Sequence, residues 1–286
     1  MGRVTQRRRV VRIGSARPGP AVDTLAVEEP LEVRLDGRPF QVTMRTPGDD
    51  IDLVHGLLHA EQVITDPAHV LLARYCAGTG PDGVNSYNVV DVTLGAGAVP
   101  PEPGLQRNVL TSSACGVCGS ASIDAVTRVT RHVLSTAEVD GAVLLAAPGL
   151  VRPQQSVFAT TGGVHAAALL GRDGRVLCVR EDVGRHNAVD KVIGWALRQQ
   201  RLPLTDAVLY VSSRASFEVT QKAVLAGIGV LVAVSAPSSL AVELADRAGL
   251  TLAGFVRGAS MNIYAHPERV RTGSAVTTAV PDDDGA

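Results

Sequence analysis

Lysine is almost absent from this chain: Lys191 and Lys222 stand alone, and the rest of its 27 basic residues are arginine. We read that bias as genomic base composition rather than function. Acids and bases nearly cancel, leaving a formal net charge of −1, so no global electrostatic case for nucleic acid exists. Four cysteines in 286 residues (Cys76, Cys115, Cys118 and Cys178) are too few for a disulfide scaffold. The first ten residues lack the apolar stretch of a secretory signal. One uncharged run, 223–242, reaches membrane-span length, but Gly227, Gly229, Pro237, Ser238 and Ser239 interrupt it. A buried helix followed by a strand fits it better than a membrane span. No period of 20 to 50 residues repeats, which excludes solenoids. These absences predict a cytoplasmic protein with reduced thiols, binding neither nucleic acid nor membrane.

Hydrophobic residues make up 45% of the chain and charged ones 19%, enough apolar surface to build a core. Residues 1–21 hold six arginines and no acid, and predict a flexible basic arm. Residues 273–286 end in an acidic tail, Pro281-Asp-Asp-Asp-Gly-Ala286. Between them, 22–140 reads as a small α+β domain. Leu31 to Met44 alternates apolar and polar residues around Asp36-Gly37, a hairpin signal. Thr46-Pro-Gly-Asp-Asp50 starts a helix running to about Glu61, and Ser86 to Leu94 reads as a strand.

From 141 to 272 strands and helices alternate, predicting a layered α/β domain with ligands at its strand ends. Helices are expected at Gly149–Phe158, His186–Arg201, Phe217–Gly227 and Ser239–Ala248. Strands are expected at His165–Leu170, Val176–Arg180, Ala207–Ser212, Val230–Ser235 and Thr251–Val256.

The sharpest local feature is Cys115-Gly-Val-Cys118-Gly119, ahead of a helix expected over Ser120–Leu134. Two thiols at this spacing can share a metal, form a disulfide or pass sulfur between them. A helix N-terminus favours the thiolate, which is the nucleophile. Structural zinc needs a second ligand pair, and Cys76 and Cys178 have no closely spaced partner, so no metal is expected. A thioredoxin-type redox pair would carry an aromatic approach and a following proline, both absent. His59-Ala-Glu61 with the cysteine pair mimics the zinc deaminase signature, but Ala114 replaces its proline and a strand separates the halves. That enzyme class is the alternative reading, together with a non-covalent cofactor chaperone.

Arg180-Glu-Asp-Val-Gly-Arg-His-Asn-Ala-Val-Asp-Lys191 packs acids, bases and an amide into a strand-to-helix turn. Arg185 and His186 at the helix start could form an anion site. A cluster whose acids and bases satisfy one another explains the composition as well. Arg214 and Arg257 follow two further strands, and Phe255 adds a ring that can stack a purine. Together these strand ends suggest a site for a phosphorylated, base-containing ligand.

These stretches together resemble the FdhD/NarQ family of formate dehydrogenase accessory sulfurtransferases. Val27 to Val33, Met44 to Asp50, Thr161-Gly-Gly-Val-His-Ala166 and Ser213-Arg-Ala-Ser-Phe-Glu218 extend the likeness, in order, over about 22–270. The resemblance implies a sulfurtransferase, a persulfide carrier between a cysteine desulfurase and the molybdenum cofactor destined for formate dehydrogenase. The cargo would be Mo-bis(molybdopterin guanine dinucleotide), bound transiently. It also implies a homodimer and a C-terminal domain shaped like the cytidine deaminase fold without its zinc. On the family pattern Cys115 corresponds to the persulfide cysteine, with Cys118 beside it. Phe255, Val256, Arg257, Gly258, Ala259 and Ser260 correspond to the cofactor-binding stretch. Ser120 stands where many relatives have lysine.

Overall fold

The computed structural model describes residues 4–14, 17–76, 87–99 and 132–272. Both cysteines of the Cys115/Cys118 pair, most of the helix expected over Ser120–Leu134 and the acidic tail lie outside them. Residues 132–134, the described end of that helix, are not helical.

The N-terminal unit is a four-stranded sheet in the order β4-β3-β6-β5. Strands β3 (Glu29–Leu35) and β4 (Arg38–Arg45) form the expected hairpin, with Asp36 and Gly37 both at positive φ. Two left-handed residues give the turn a twist that matches the flanking strands. Strands β5 (Val70–Tyr75) and β6 (Val89–Leu94) complete the sheet. Leu31, Val33, Val90 and Val92 point at helix α1 (Asp50–Ala60), which buries Leu53, Val54, Leu57 and Leu58 against them.

The basic arm differs from its expectation. Thr5–Arg12 forms strand β1, paired antiparallel along its whole length with β2 (Gly19–Ala26). Arg8 stands opposite Asp23 in that register. Repulsion among arginines argued for a loose chain, but partner backbone groups and the β-branched pair Val10-Val11 supply a ladder that composition does not reveal.

The C-terminal unit is a six-stranded sheet in the order β13-β12-β11-β10-β8-β9. Strands β10 (Ala207–Val211), β11 (Val230–Ala233) and β12 (Thr251–Arg257) run parallel. Strands β8 (His165–Gly171) and β13 (Ser260–Ala265) flank them antiparallel, and β9 (Val176–Asp182) pairs antiparallel with β8. Every residue of β10 is buried, as a strand covered on both faces requires. Short strands β7 (Val139–Asp140) and β14 (Val270–Arg271) pair beside the sheet. Because β7 pairs there and Leu134 joins that core, this unit starts before residue 141.

One sheet face packs on helix α2 (Gly141–Val151), through Leu144, Ala147 and Val151. Here the helix expected at Gly149–Phe158 is corrected. Asp140 accepts a hydrogen bond from the Ala142 amide at 2.8 Å and starts α2 early. Residues 152–154 form a 3₁₀ turn, Gln155 leaves helical geometry, and α3 (Ser156–Thr161) follows. The uniformly apolar α2 sequence hid its period. The other face packs on α4 (Arg185–Arg198), α5 (Phe217–Leu225) and α6 (Ser239–Ala248). Among the described residues no helix is long and apolar enough to cross a membrane.

Helices α1 and α4 cross at glycines. A Cβ on Gly56 would fall onto the Asp190 carbonyl, and one on Gly194 onto the Asp52 carbonyl. Only hydrogen at both positions allows the two backbones to approach this closely.

Candidate functional site

Strand directions bring five chain segments to one edge of the six-stranded sheet. The ends of β9, β10, β11 and β12 meet there with the start of β8, because His165 pairs with Asp182 and Ala167 with Val211. Open α/β sheets leave a crevice at such an edge.

The polar segment after β9 divides in two. Asp182 is fully buried and accepts four hydrogen bonds. Lys191 Nζ lies 2.8 Å away, with the Gly184 amide at 2.8 Å and the Thr46 amide and Asn187 Nδ2 each at 3.1 Å. Burial opposes the Asp182 charge and pushes its carboxyl up, while Lys191 pulls it back down. Lys191 also donates to the Thr46 and Glu181 carbonyls, and Asn187 donates to the Met44 carbonyl at 2.7 Å. Glu181 caps α3, accepting from Val157 and Phe158. These residues fasten the end of β4 to the C-terminal unit. The stretch Met44 to Asp50 is likewise internal: Arg45 is buried against Asp50 at 3.0 Å, and Asn88 and Tyr75 bond the same pair.

Arg185 and His186 behave otherwise. Arg185 opens α4; among the described residues its half-enclosed guanidinium makes no ion pair and its buried Nε no hydrogen bond. His186 places Nε2 at 2.9 Å from Glu218 Oε2 and 3.2 Å from Ser216 Oγ. Arg214 is exposed just past β10. Phe255 is exposed at the end of β12 with φ 52°, a left-handed backbone unusual for an aromatic residue. Arg257 is exposed and its Nε donates to the Val234 carbonyl at 3.3 Å. Gly258, at φ 56°, and exposed Ala259 turn the chain into β13, where Ser260 Oγ lies 3.4 Å from the Arg257 carbonyl. Within the stretch expected to bind the cofactor, Val256 alone has a buried side chain. It is fully buried between the sheet and α2, because alternation along β12 sends its side chain inward.

The same edge holds a cleft of about 730 Å³, within the range of small-molecule sites. Arg152 stacks on Phe158 at 4.5 Å in its wall, beside His165, Tyr210 and Ser212. None of these was a sequence candidate for the site. The one legible signal was Thr161-Gly-Gly-Val-His-Ala166, whose glycines and His165 border the cleft. Burial holds the His165 imidazole below its ordinary range, and the charges of Arg185 and His186 add to that effect. His165 thus joins the cleft to the Arg185 cluster. Burial also pushes the Tyr210 hydroxyl up to about 12, so the cleft wall stays uncharged there.

His59 is buried on α1, and among the described residues no three metal-binding side chains converge. Cys178 is buried and its thiol is pushed up to about 12 by burial, which makes it inert.

Comparison with known proteins agrees with this architecture. A formate dehydrogenase accessory protein assignment from Desulfotalea psychrophila has a crystal structure that superposes with a TM-score of 0.71, at 22% identity, over 94% of this chain and all of that one. The sulfur carrier protein FdhD of Nocardia farcinica is 58% identical over 278 residues, 96% of this chain and 98% of its own. The protein of the same name from Mycobacterium tuberculosis is 53% identical over 275 residues, covering 94% of this chain and its own full length. The model of the FdhD/NarQ family matches residues 26–271, and the chain belongs to that family.

Proposed function

We propose that this protein is a sulfur carrier that serves formate dehydrogenase, working as a cytoplasmic homodimer. A cysteine desulfurase loads Cys115, and the sulfur passes to Mo-bis(molybdopterin guanine dinucleotide) held transiently as cargo. Relatives more than half identical that are named sulfur carriers support the sulfur step. The observation that carries the cargo step is Arg185 at the start of α4, whose buried Nε has no hydrogen-bond partner among the described residues. Unpaired donors at a helix N-terminus suit phosphate oxygens. Phe255 offers a ring for a base, and Arg214 and Arg257 supply further cations.

Loading balances without added electrons. The Cys115 thiolate attacks the outer sulfur of the donor's persulfide, a new S–S bond forms, and the donor cysteine leaves as thiolate. Attack by Cys118 on the Cys115 sulfur would then release hydrosulfide and leave a Cys115–Cys118 disulfide.

Intact-protein mass after incubation with a desulfurase and cysteine should show one added sulfur atom, mapped to the Cys115/Cys118 peptide. Cys115→Ala should fold normally and abolish formate dehydrogenase maturation. Maturation at wild-type level by that variant would replace the covalent reading with a cofactor chaperone that acts by binding alone.

A further inference from the structure

The first turn of α5 carries two groups aimed at one atom of α4. Ser216 is the N-cap residue, its Oγ accepting from the Val219 amide at 3.5 Å, and Glu218 lies two residues on. Both reach Nε2 of His186, Glu218 at 2.9 Å and Ser216 at 3.2 Å. The imidazole is 15% exposed and the Glu218 side chain 39%, so the contact is enclosed on the histidine side and open on the other.

A carboxylate can only accept a hydrogen bond, so Nε2 carries hydrogen whenever Glu218 is ionised. The hydrogen bond from His186 holds the Glu218 carboxyl below its usual range, and the charges of His186, Lys222 and Arg185 add to this. With Nε2 committed, the neutral imidazole has one free lone pair, on Nδ1, for which no partner is found among the described residues. Arg185, the adjacent residue, leaves its Nε unmatched on the same helix turn.

We infer that Glu218 is a positioning residue that holds His186 in the Nε2–H form and so presents Nδ1, beside Arg185, to the cargo at the sheet edge. The inference rests on reading that edge as the cargo site. It gives His186 a defined valence. Nδ1 accepts from a ribose hydroxyl when the ring is neutral, and donates to a phosphate oxygen when the ring is protonated. A free imidazole would divide itself between two tautomers and lose part of each contact.

Long-range ¹⁵N–¹H spectra of the full chain at pH 8 should show His186 as the Nε2–H tautomer alone. Glu218→Ala should give mixed tautomers and weaken guanosine diphosphate binding about tenfold, the worth of one directed hydrogen bond. Glu218→Gln, whose amide oxygen still accepts, should restore the single tautomer and most of the affinity. Should Glu218→Ala fail to fold, Glu218→Ser serves the same test. A Glu218→Ala protein with the wild-type tautomer, or with wild-type affinity, overturns the inference. No guanosine diphosphate binding by the wild type overturns instead the reading of the edge, and with it the role given to Nδ1.

Discussion

Two sets of polar side chains share the segment 181–191 and differ in where their partners come from. Asp182, Asn187 and Lys191 are buried, and their partners include Met44 and Thr46, about 140 positions away in the chain. Arg185, in the middle of the same segment, leaves its buried Nε without a partner among the described residues. Composition could not separate the two sets, because both consist of acids, bases and amides in one turn. The number of satisfied hydrogen bonds does separate them. A polar group fully matched inside the protein holds the fold; one left unmatched at an edge is available to a ligand.

The strongest way to break this contrast is to remove a member of the matched set. Lys191→Met leaves the Asp182 carboxylate buried without its cation, and should cost about 3–5 kcal/mol in chemical denaturation. A loss below 1 kcal/mol would show that Asp182 relaxes to another partner. Gly194→Ala tests the crossing that the matched set supports. Its methyl group meets the Asp52 carbonyl, so α1 and α4 must separate, at about 1–3 kcal/mol by the same measurement.

The unmatched set should respond in the opposite way. Arg185→Ala should leave stability within about 0.5 kcal/mol of wild type. The same variant should weaken guanosine diphosphate binding about tenfold to a hundredfold by calorimetry. Equal binding would move the site away from α4. Cys178 sharpens the point for thiols. With its thiol pushed to about 12, it should resist alkylation at pH 8 in the folded protein and react promptly in denaturant. Rapid native labelling of Cys178 would mean that β9 opens readily.

The smallest expected effect is on pH dependence. Burial lowers the proton affinity of His55 and of His165 below their ordinary value near 6.5. Below that pH the unfolded chain therefore takes up protons that the folded chain refuses, and stability falls with acidification. Melting temperature should decline from pH 7.5 to 5.5, and replacing both histidines with glutamine should flatten the decline. An unchanged slope would assign the effect to other groups.

Local order was legible where one segment carries its own signal. Asp36-Gly37 between alternating strands announces the β3–β4 hairpin, and the apolar periods of α4, α5 and α6, with serine caps on the last two, agree with their positions to within a few residues. The run of strands and helices after residue 141 predicted the layered sheet, and the ordered set of short motifs predicted the family. Strand β1 escaped because only six residues separate it from its partner with no clear turn signal, and its side chains suggest repulsion. The chain's own chemistry thus determined which elements form and which residue types could reach a sheet edge. Only the tertiary structure decided which of those residues remain free there. Val256 turns inward by strand alternation, Lys191 is taken up by Asp182 and Thr46, and Arg152 and Phe158 reach His165 from a segment with no motif of its own. Burial and partner satisfaction are properties of surfaces brought together across the whole chain, and no local stretch of sequence contains them.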